Sequence, residues 1–203
     1  MTELYLVTDR ERLSMSQFEN AIVQAVRAGV SIVQLREKNA SAREIIAVGK
    51  RVKEILAPYN VPLIINDRVD IAFEIGADGV HIGQSDVSVE TARAILGRDA
   101  IIGLTIDTIE EAIYGDTLDV DYIGVGPIFH TDTKENPAPV WGVEKLKKLA
   151  HLNKKLYAIG GINETNIRSV VDAGIVDGIA VVSAICYADD PYEATQKLLN
   201  LMK

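Results

Sequence analysis

The chain has 203 residues, 48% of them hydrophobic, so it is long and apolar enough for one globular domain spanning residues 1–203. Its 29 acidic residues outnumber its 21 basic ones, and the net charge of −8 argues against a nucleic-acid partner or an anionic membrane surface. The single cysteine excludes an internal disulfide, and no segment is as apolar as a signal peptide or a transmembrane helix, which favours a cytoplasmic protein.

Short β-branched runs alternate with longer amphipathic segments along the whole chain, which predicts βα units and a parallel sheet. The predicted strands are residues 4–7, 31–35, 63–65, 79–82, 101–105, 122–125, 156–159 and 178–182. Eight units suit closure, so we predict an α/β fold, a single (β/α)8 TIM barrel. A doubly wound sheet is less favoured, because the first βα turn lacks the glycine-rich dinucleotide motif.

The segments between the strands have helical periodicity. Residues 16–27, for example, place apolar side chains three and four positions apart, which predicts a helix with one buried face. Three such segments end in a glycine before the next strand, at Gly29, Gly76 and Gly174. Glycine is the residue that a left-handed helix C-cap favours, so these positions predict helix ends.

Two acidic residues, Asp67 and Asp86, follow the third and fourth predicted strands. Neighbouring strands lie about 4.8 Å apart, so the two carboxylates could share a metal ion at the carboxyl end of the barrel. One or two carboxylates, completed by water and substrate phosphate, are a typical Mg²⁺ site. The alternative is that each acid caps the helix that follows it.

A cluster of polar and basic residues follows the second predicted strand. Gln34, Arg36 and Lys38 alternate along an extended segment, so their side chains can point to one side, and Lys134 can join them from the sixth βα loop. Such groups suit a diphosphate. The alternative is a salt bridge from Arg36 or Lys38 to Glu37 or to another nearby acid.

The last two strands predict a second phosphate site. Gly160, Gly161 and Ser183 follow strands seven and eight, where many barrels of this kind bind phosphate. Gly-Gly alone is equally compatible with a tight turn. The loop 131–141 is long for a βα connection and carries two threonines, a lysine and an aromatic residue, which predicts a lid.

The histidines and the cysteine give weaker signals. His81 lies within a strand and is expected to be buried rather than catalytic, and His151 lies at a polar helix end. His130 lies beside the predicted lid and could contact a substrate. Cys186 follows an apolar run, with no partner histidine indicated, so we expect it to be a packing residue.

Eight motifs are spread over the whole chain in a fixed order. They are LYLVTD (4–9), QLREK (34–38), IND (65–67), DGVHIGQ (78–84), DYIGVGPIF (121–129), TDTK (131–134), AIGGI (158–162) and VVSAI (181–185). Together they resemble the thiamine phosphate synthases, also called thiamine-phosphate pyrophosphorylases. The resemblance implies a transferase of thiamine biosynthesis that joins hydroxymethylpyrimidine diphosphate to hydroxyethylthiazole phosphate in a (β/α)8 barrel. Dissociative, Mg²⁺-dependent chemistry would then yield thiamine phosphate and pyrophosphate.

The resemblance also implies roles by position. The pyrimidine diphosphate would be held by Gln34, Leu35, Arg36, Glu37, Lys38, Asn66, Thr105 and Lys134. The thiazole phosphate would be held by Thr131, Thr133, Gly161, Val182 and Ser183, with Asp132 in the same substrate-binding loop. Asp67 and Asp86 would bind Mg²⁺. The catalytic residues would be Arg36, Lys38, Thr105 and Lys134.

Three positions depart from the family pattern. The family usually has serine at Thr105, histidine at Asp107 and proline at His130. Thr105 keeps the hydroxyl. A carboxylate at Asp107 would repel a diphosphate if it faced the site, so we expect it to cap the next helix instead.

Two other functions fit parts of the pattern. Thiazole tautomerases look similar but typically have a catalytic histidine where this chain has Pro127, and Lys38 with the two acids also argues against them. A barrel that only binds a thiazole phosphate would lack Mg²⁺-dependent turnover. Small-molecule substrates are expected in either case. A homodimer is plausible, although no interface can be identified in the sequence.

Overall fold

Eight parallel strands pair in the order in which they occur along the chain, and the first also pairs with the last. In the computed structural model, which describes residues 2–131 and 139–203, the sheet is therefore a closed barrel. The strands are β1 Glu3–Val7, β2 Ile32–Leu35, β3 Leu63–Asn66, β4 Gly79–Ile82, β5 Ile101–Ile106, β6 Tyr122–Val125, β7 Lys155–Ile159 and β8 Gly178–Val181. The predicted (β/α)8 barrel is confirmed.

Helices follow the strands around the outside of the barrel. They are α1 Met15–Ala28, α2 Ala42–Leu56, α3 Val69–Ile75, α4 Val89–Leu96, α5 Ile109–Asp116, α6 Val143–Leu146, α7 Ile167–Asp172, α8 Ser183–Cys186 and α9 Pro191–Leu201. Single 3₁₀ turns extend α2 and α6, at Ala57–Tyr59 and Lys147–Leu149. Within the described part of the chain, no helix has the length and apolarity needed to cross a membrane.

Local signals in the sequence explain where several helices begin and end. Ser14 caps α1 in a capping box: its side chain accepts a hydrogen bond from the Gln17 N–H, and the Gln17 side chain bonds back to the Ser14 N–H. Gly29 and Gly76 end α1 and α3 with φ values of 117° and 60°, and Gly174 has a φ of 67° just after α7. The helix ends predicted at these glycines are confirmed.

Two apolar clusters pack on opposite sides of the sheet. The larger one lies between sheet and helices, and it includes Cys186, whose predicted packing role is confirmed. The smaller cluster fills the barrel interior with residues such as Tyr5, Tyr122 and Tyr157. A Cβ atom on Gly178 would collide with the Tyr157 ring, so the glycine makes room for this ring. These rings form the floor beneath the carboxyl ends of the strands.

Candidate functional site

A cavity of about 520 Å³ opens at the carboxyl ends of the strands, which is the face where barrels of this architecture place their active sites. The volume suits a small-molecule ligand. Most of the predicted site residues within the described ranges line it, namely Gln34, Arg36, Lys38, Asn66, Asp67, Asp86, Thr105, Thr131, Gly161, Val182 and Ser183. The predicted residues Asp132, Thr133 and Lys134 lie outside the described residues.

Two predicted substrate-binding residues do not face the cavity. The Leu35 side chain is buried in the cluster between sheet and helices. Glu37 points to the opposite side of the chain from Arg36 and pairs with Arg10, with 2.8 Å between Oε2 and Nε. Side chains alternate along an extended segment, so a run of five adjacent residues cannot all point into one cavity.

The carboxylates Asp67 and Asp86 lie together at the mouth of the cavity. Asp86 Oδ2 accepts a hydrogen bond of 2.7 Å from the Gly83 N–H. Partial burial raises the pKa of Asp86, the Gly83 hydrogen bond opposes this, and the neighbouring Asp67 carboxylate raises the pKa further. Two like charges held this close are what a divalent cation would neutralise, so the pair fits Mg²⁺.

Neither acid caps a helix, so the alternative assignment of these residues is wrong. Ser88 caps α4, and Arg68 occupies the N-cap position of α3. Asp67 instead has a φ of 64°, a left-handed conformation that is uncommon outside glycine. Its N–H donates to the His81 carbonyl at 2.8 Å, which holds the residue at the end of β3.

Among the described residues, Asp67 and Asp86 belong to no group of three or more acidic, histidine or cysteine side chains that could hold a metal. The protein would therefore supply two oxygen ligands. Water and substrate oxygens would complete the coordination, as is usual for Mg²⁺.

The cations predicted to bind diphosphate lie beside this acidic pair. Lys38 Nζ is 3.4 Å from Asp67 Oδ2, so the predicted alternative of a salt bridge to a nearby acid is realised for Lys38. The pair is partly exposed and contributes little to stability. Arg36 lines the cavity, and no carboxylate of the described residues pairs with it. Its guanidinium is therefore available for an anion.

The opposite wall of the cavity is built from the turns after β7 and β8. Gly160 and Gly161 have φ values of 99° and 66°. A Cβ atom on Gly160 would collide with Pro127, and one on Gly161 would collide with the backbone of His130. The two glycines are thus required by close packing against the sixth βα loop. Because they line the cavity, the backbone of Gly160 and Gly161 forms part of its wall.

The sixth βα loop is anchored at its far end. Trp141 is 4% exposed, and its backbone N–H donates to the Pro127 carbonyl at 2.8 Å. Its indole Nε1 is buried and has no hydrogen-bond partner in the described part of the chain. Because residues 132–138 lie outside the described ranges, the lid stays a prediction.

The expectation that Asp107 caps α5 is wrong. Thr108 is the N-cap, and its side chain accepts a hydrogen bond from the Glu111 N–H at 3.1 Å. Asp107 lines the cavity, and its Oδ1 is buried without a hydrogen-bond partner among the described residues. A threonine one position later competes better for the cap, because its hydroxyl reaches the N3 amide.

His81 is a cavity residue that was not among the predicted site residues. It is half-buried and lines the cavity, with Nε2 2.6 Å from Thr105 Oγ1 and Nδ1 2.9 Å from the Tyr122 hydroxyl. Burial lowers its pKa to about 4, and the Asp86 carboxylate opposes this only in part. The usable signal was strand parity: Val80 and Ile82 pack outward, so His81 must face the interior.

Comparison with known proteins gives one consistent result. A family model described as thiamine monophosphate synthase matches residues 4–185. Thiamine-phosphate synthases from Desulfitobacterium hafniense and Vibrio parahaemolyticus are 43% and 46% identical to this chain, and each alignment covers 98% of this chain and 97% of the relative. The solved structure of thiamine phosphate pyrophosphorylase from Pyrococcus furiosus is 36% identical, with a TM-score of 0.89 over 98% of this chain and 95% of that one.

Proposed function

Because this chain belongs to the thiamine monophosphate synthase family and is a transferase of that family, we propose the following reaction for it. The hydroxymethylpyrimidine group is transferred from its diphosphate to the ring nitrogen of hydroxyethylthiazole phosphate, giving thiamine phosphate and pyrophosphate. The observation that carries the proposal is that the Asp67 and Asp86 carboxylates lie beside Lys38 and Arg36 on one side of the cavity.

The acidic pair is the proposed Mg²⁺ site. Asp67 and Asp86 would hold the ion, and the ion would supply positive charge at the diphosphate oxygens when bound. Lys38 Nζ lies 3.4 Å from Asp67, so the lysine would also be close to a diphosphate bound beside the two acids. There its ammonium group would add a positive charge next to the phosphate oxygens.

The cations of the cavity would act on the leaving group. In the dissociative reaction the bond between the methylene carbon and the diphosphate oxygen breaks, and its electron pair leaves with pyrophosphate. Negative charge then builds on the leaving group. Arg36 and Lys38 line the cavity, where their positive charges would stabilise that charge.

The remaining walls would hold the acceptor. Gly161 and Ser183 lie across the cavity from the acidic pair, where they can bind the thiazole phosphate. The thiazole nitrogen then donates its lone pair to the methylene cation and forms the new carbon–nitrogen bond. Binding both reactants in one cavity would bring the two reacting atoms together.

The test is pyrophosphate release from the purified protein, given each substrate alone and both together, with Mg²⁺ or with a chelator. We expect release only when both substrates and the metal are present. Thiazole phosphate binding without any release would contradict the synthase proposal and favour a binding barrel. The tautomerase alternative gains no support from the cavity, where Pro127 lies at its histidine position.

A further inference from the structure

The alternation of side chains in β2 continues beyond the end of the strand. The strand and its pairing with β3 both end at Leu35. Arg36 and Lys38 nevertheless line the cavity, whereas Glu37 between them does not. Sheet pairing no longer fixes the backbone here, and a slip of one residue would turn both cations away from the cavity. Other contacts must therefore hold residues 36–38 in place.

The first βα loop, which connects β1 to α1, supplies such contacts. Thr8 in this loop is fully buried, and its Oγ1 accepts a hydrogen bond of 3.2 Å from the Arg36 N–H. Two residues later, Arg10 pairs with Glu37, with 2.8 Å between Nε and Oε2. The first contact holds the backbone of the segment, and the second holds the side chain that points away from the cavity.

The surroundings of the Arg10–Glu37 pair do not favour a charge. The Glu37 side chain is only 7% exposed, and its Oε1 is buried with no hydrogen-bond partner among the described residues. Burial raises the pKa of Glu37, and the hydrogen bond and the charge of Arg10 oppose this. An ion pair with a buried member often adds little stability compared with apolar side chains of similar size, and some such pairs instead select one conformation of the chain.

We propose that Arg10 and Glu37 are positioning residues for an anion bound by Arg36 and Lys38. Neither Arg10 nor Glu37 lines the cavity, so they act on the ligand through the two cations. By holding Glu37 outward, the Arg10–Glu37 pair keeps the side chains on either side of it directed at the cavity. The ligand then meets cations that need little ordering, which strengthens binding. The inference rests on the proposed function, which makes a diphosphate this ligand.

The charge of Glu37 separates positioning from a direct electrostatic effect. Glu37 lies between two cations in the sequence, so its negative charge by itself would weaken the binding of an anion. Glu37→Gln removes this charge and keeps a side-chain oxygen that can accept the hydrogen bond from Arg10. We expect this variant to bind inorganic pyrophosphate at least as tightly as the wild type, because the position of the segment is retained.

The decisive variant replaces both members of the pair by apolar side chains, Arg10→Met together with Glu37→Leu. The net charge of the protein is unchanged, and its free energy of unfolding in urea should be equal to or larger than that of the wild type. Binding of inorganic pyrophosphate with Mg²⁺, measured by calorimetry, should nevertheless be about 10-fold weaker, as for the loss of one charge-assisted hydrogen bond. A fold that is stable but binds the anion poorly is the result expected for positioning residues.

Steady-state kinetics of the same double variant separate positioning from general damage to the barrel. The KM for the pyrimidine diphosphate should rise about 10-fold, whereas the KM for the thiazole phosphate should change by less than about twofold. The thiazole phosphate is proposed to bind at the turns after β7 and β8, which the Arg10–Glu37 pair does not contact. Damage to the whole cavity would raise both KM values.

The matched control is Glu19→Leu together with Arg51→Met. Arg51 Nε is 3.0 Å from Glu19 Oε1, and this pair joins α1 to α2 outside the cavity. Its pyrophosphate affinity should match that of the wild type.

Three results would overturn the proposal. In the first, the double variant of Arg10 and Glu37 keeps the wild-type affinity for pyrophosphate. In the second, Glu37→Gln loses as much affinity as that double variant, and in the third the control pair does so. A wild type that binds no pyrophosphate would reject the diphosphate site itself and the positioning role with it, so failure of the proposed function is distinguishable from failure of the positioning role alone.

Discussion

Asp67 combines an unusual backbone with a proposed metal-binding side chain. Its φ of 64° is a conformation that asparagine, like aspartate, adopts more readily than most other residues, so Asp67→Asn removes the charge and keeps a side chain suited to the turn. We expect this variant to lower pyrophosphate release by about 100-fold or more and to raise the Mg²⁺ concentration needed for half-maximal release. Its melting temperature should stay near that of the wild type.

The control for this prediction is Asp70→Asn, which removes a carboxylate three residues away. Asp70 pairs with Arg68 on the surface of α3 and does not line the cavity. Its pyrophosphate release should be unchanged. Equal Mg²⁺ dependence in Asp67→Asn and the wild type would mean that Asp67 does not bind the metal.

The raised pKa of Asp86 makes stability depend on pH. A carboxyl group whose pKa is higher in the folded protein binds its proton more tightly there, so its contribution favours folding at low pH and opposes folding as pH rises through the folded-state pKa. In chelator, Asp86→Asn should therefore have a larger free energy of unfolding than the wild type at pH 7. The difference should shrink as pH falls toward 3.8, the ordinary value for aspartate. Urea unfolding across this range measures it.

Mg²⁺ provides the complementary measurement. The ion should stabilise the wild type by binding its folded form, and it should stabilise Asp86→Asn much less. A wild type that is more stable than Asp86→Asn at pH 7 in chelator would show that the charged Asp86 carboxylate does not destabilise the metal-free protein.

At the scale of a single element, α1 depends on its capping box. Ser14→Ala removes the hydroxyl that accepts from the Gln17 N–H, so we expect a loss of about 1 kcal/mol in the free energy of unfolding. Ser16→Ala, in the exposed first turn of the same helix, should change stability by no more than about 0.5 kcal/mol. Chemical denaturation of both variants measures these changes. Equal losses of free energy of unfolding in the two variants would refute the assignment of Ser14 as the helix cap.

The elements also show why the strands could be predicted so well. Each strand of this barrel is a short apolar run between polar turns, and β4 and β6 have the predicted bounds. The closure of the sheet into a barrel was predicted from the number of βα units, which is eight. Each of the other six strands differs from its predicted bounds by one residue at one end, because pairing with a neighbour decides whether a terminal residue such as Asn66 joins the sheet.

At the scale of the whole molecule, the direction of a side chain can be predicted where its neighbours along the chain decide it, but its contacts with distant residues cannot. Asp67 and Asp86 follow from strand ends. The contact between His81 and Tyr122 joins residues 41 positions apart, and that between Tyr5 and Tyr122 joins residues 117 positions apart. Such contacts depend on the register of a closed barrel, which composition and periodicity do not specify. The predicted homodimer stays a prediction.

The anchoring of Trp141 gives the molecule an optical reporter. It is the only tryptophan in the chain, its ring is shielded from solvent, and Lys145 Nζ lies 5.4 Å from the ring centroid. Its backbone N–H is hydrogen-bonded to the carbonyl of Pro127, which lines the cavity. Indole emission responds to nearby charge and to water, so ligand entry that moves this loop changes the fluorescence of one unambiguous residue. Binding can therefore be followed in the native protein, in real time and without a label.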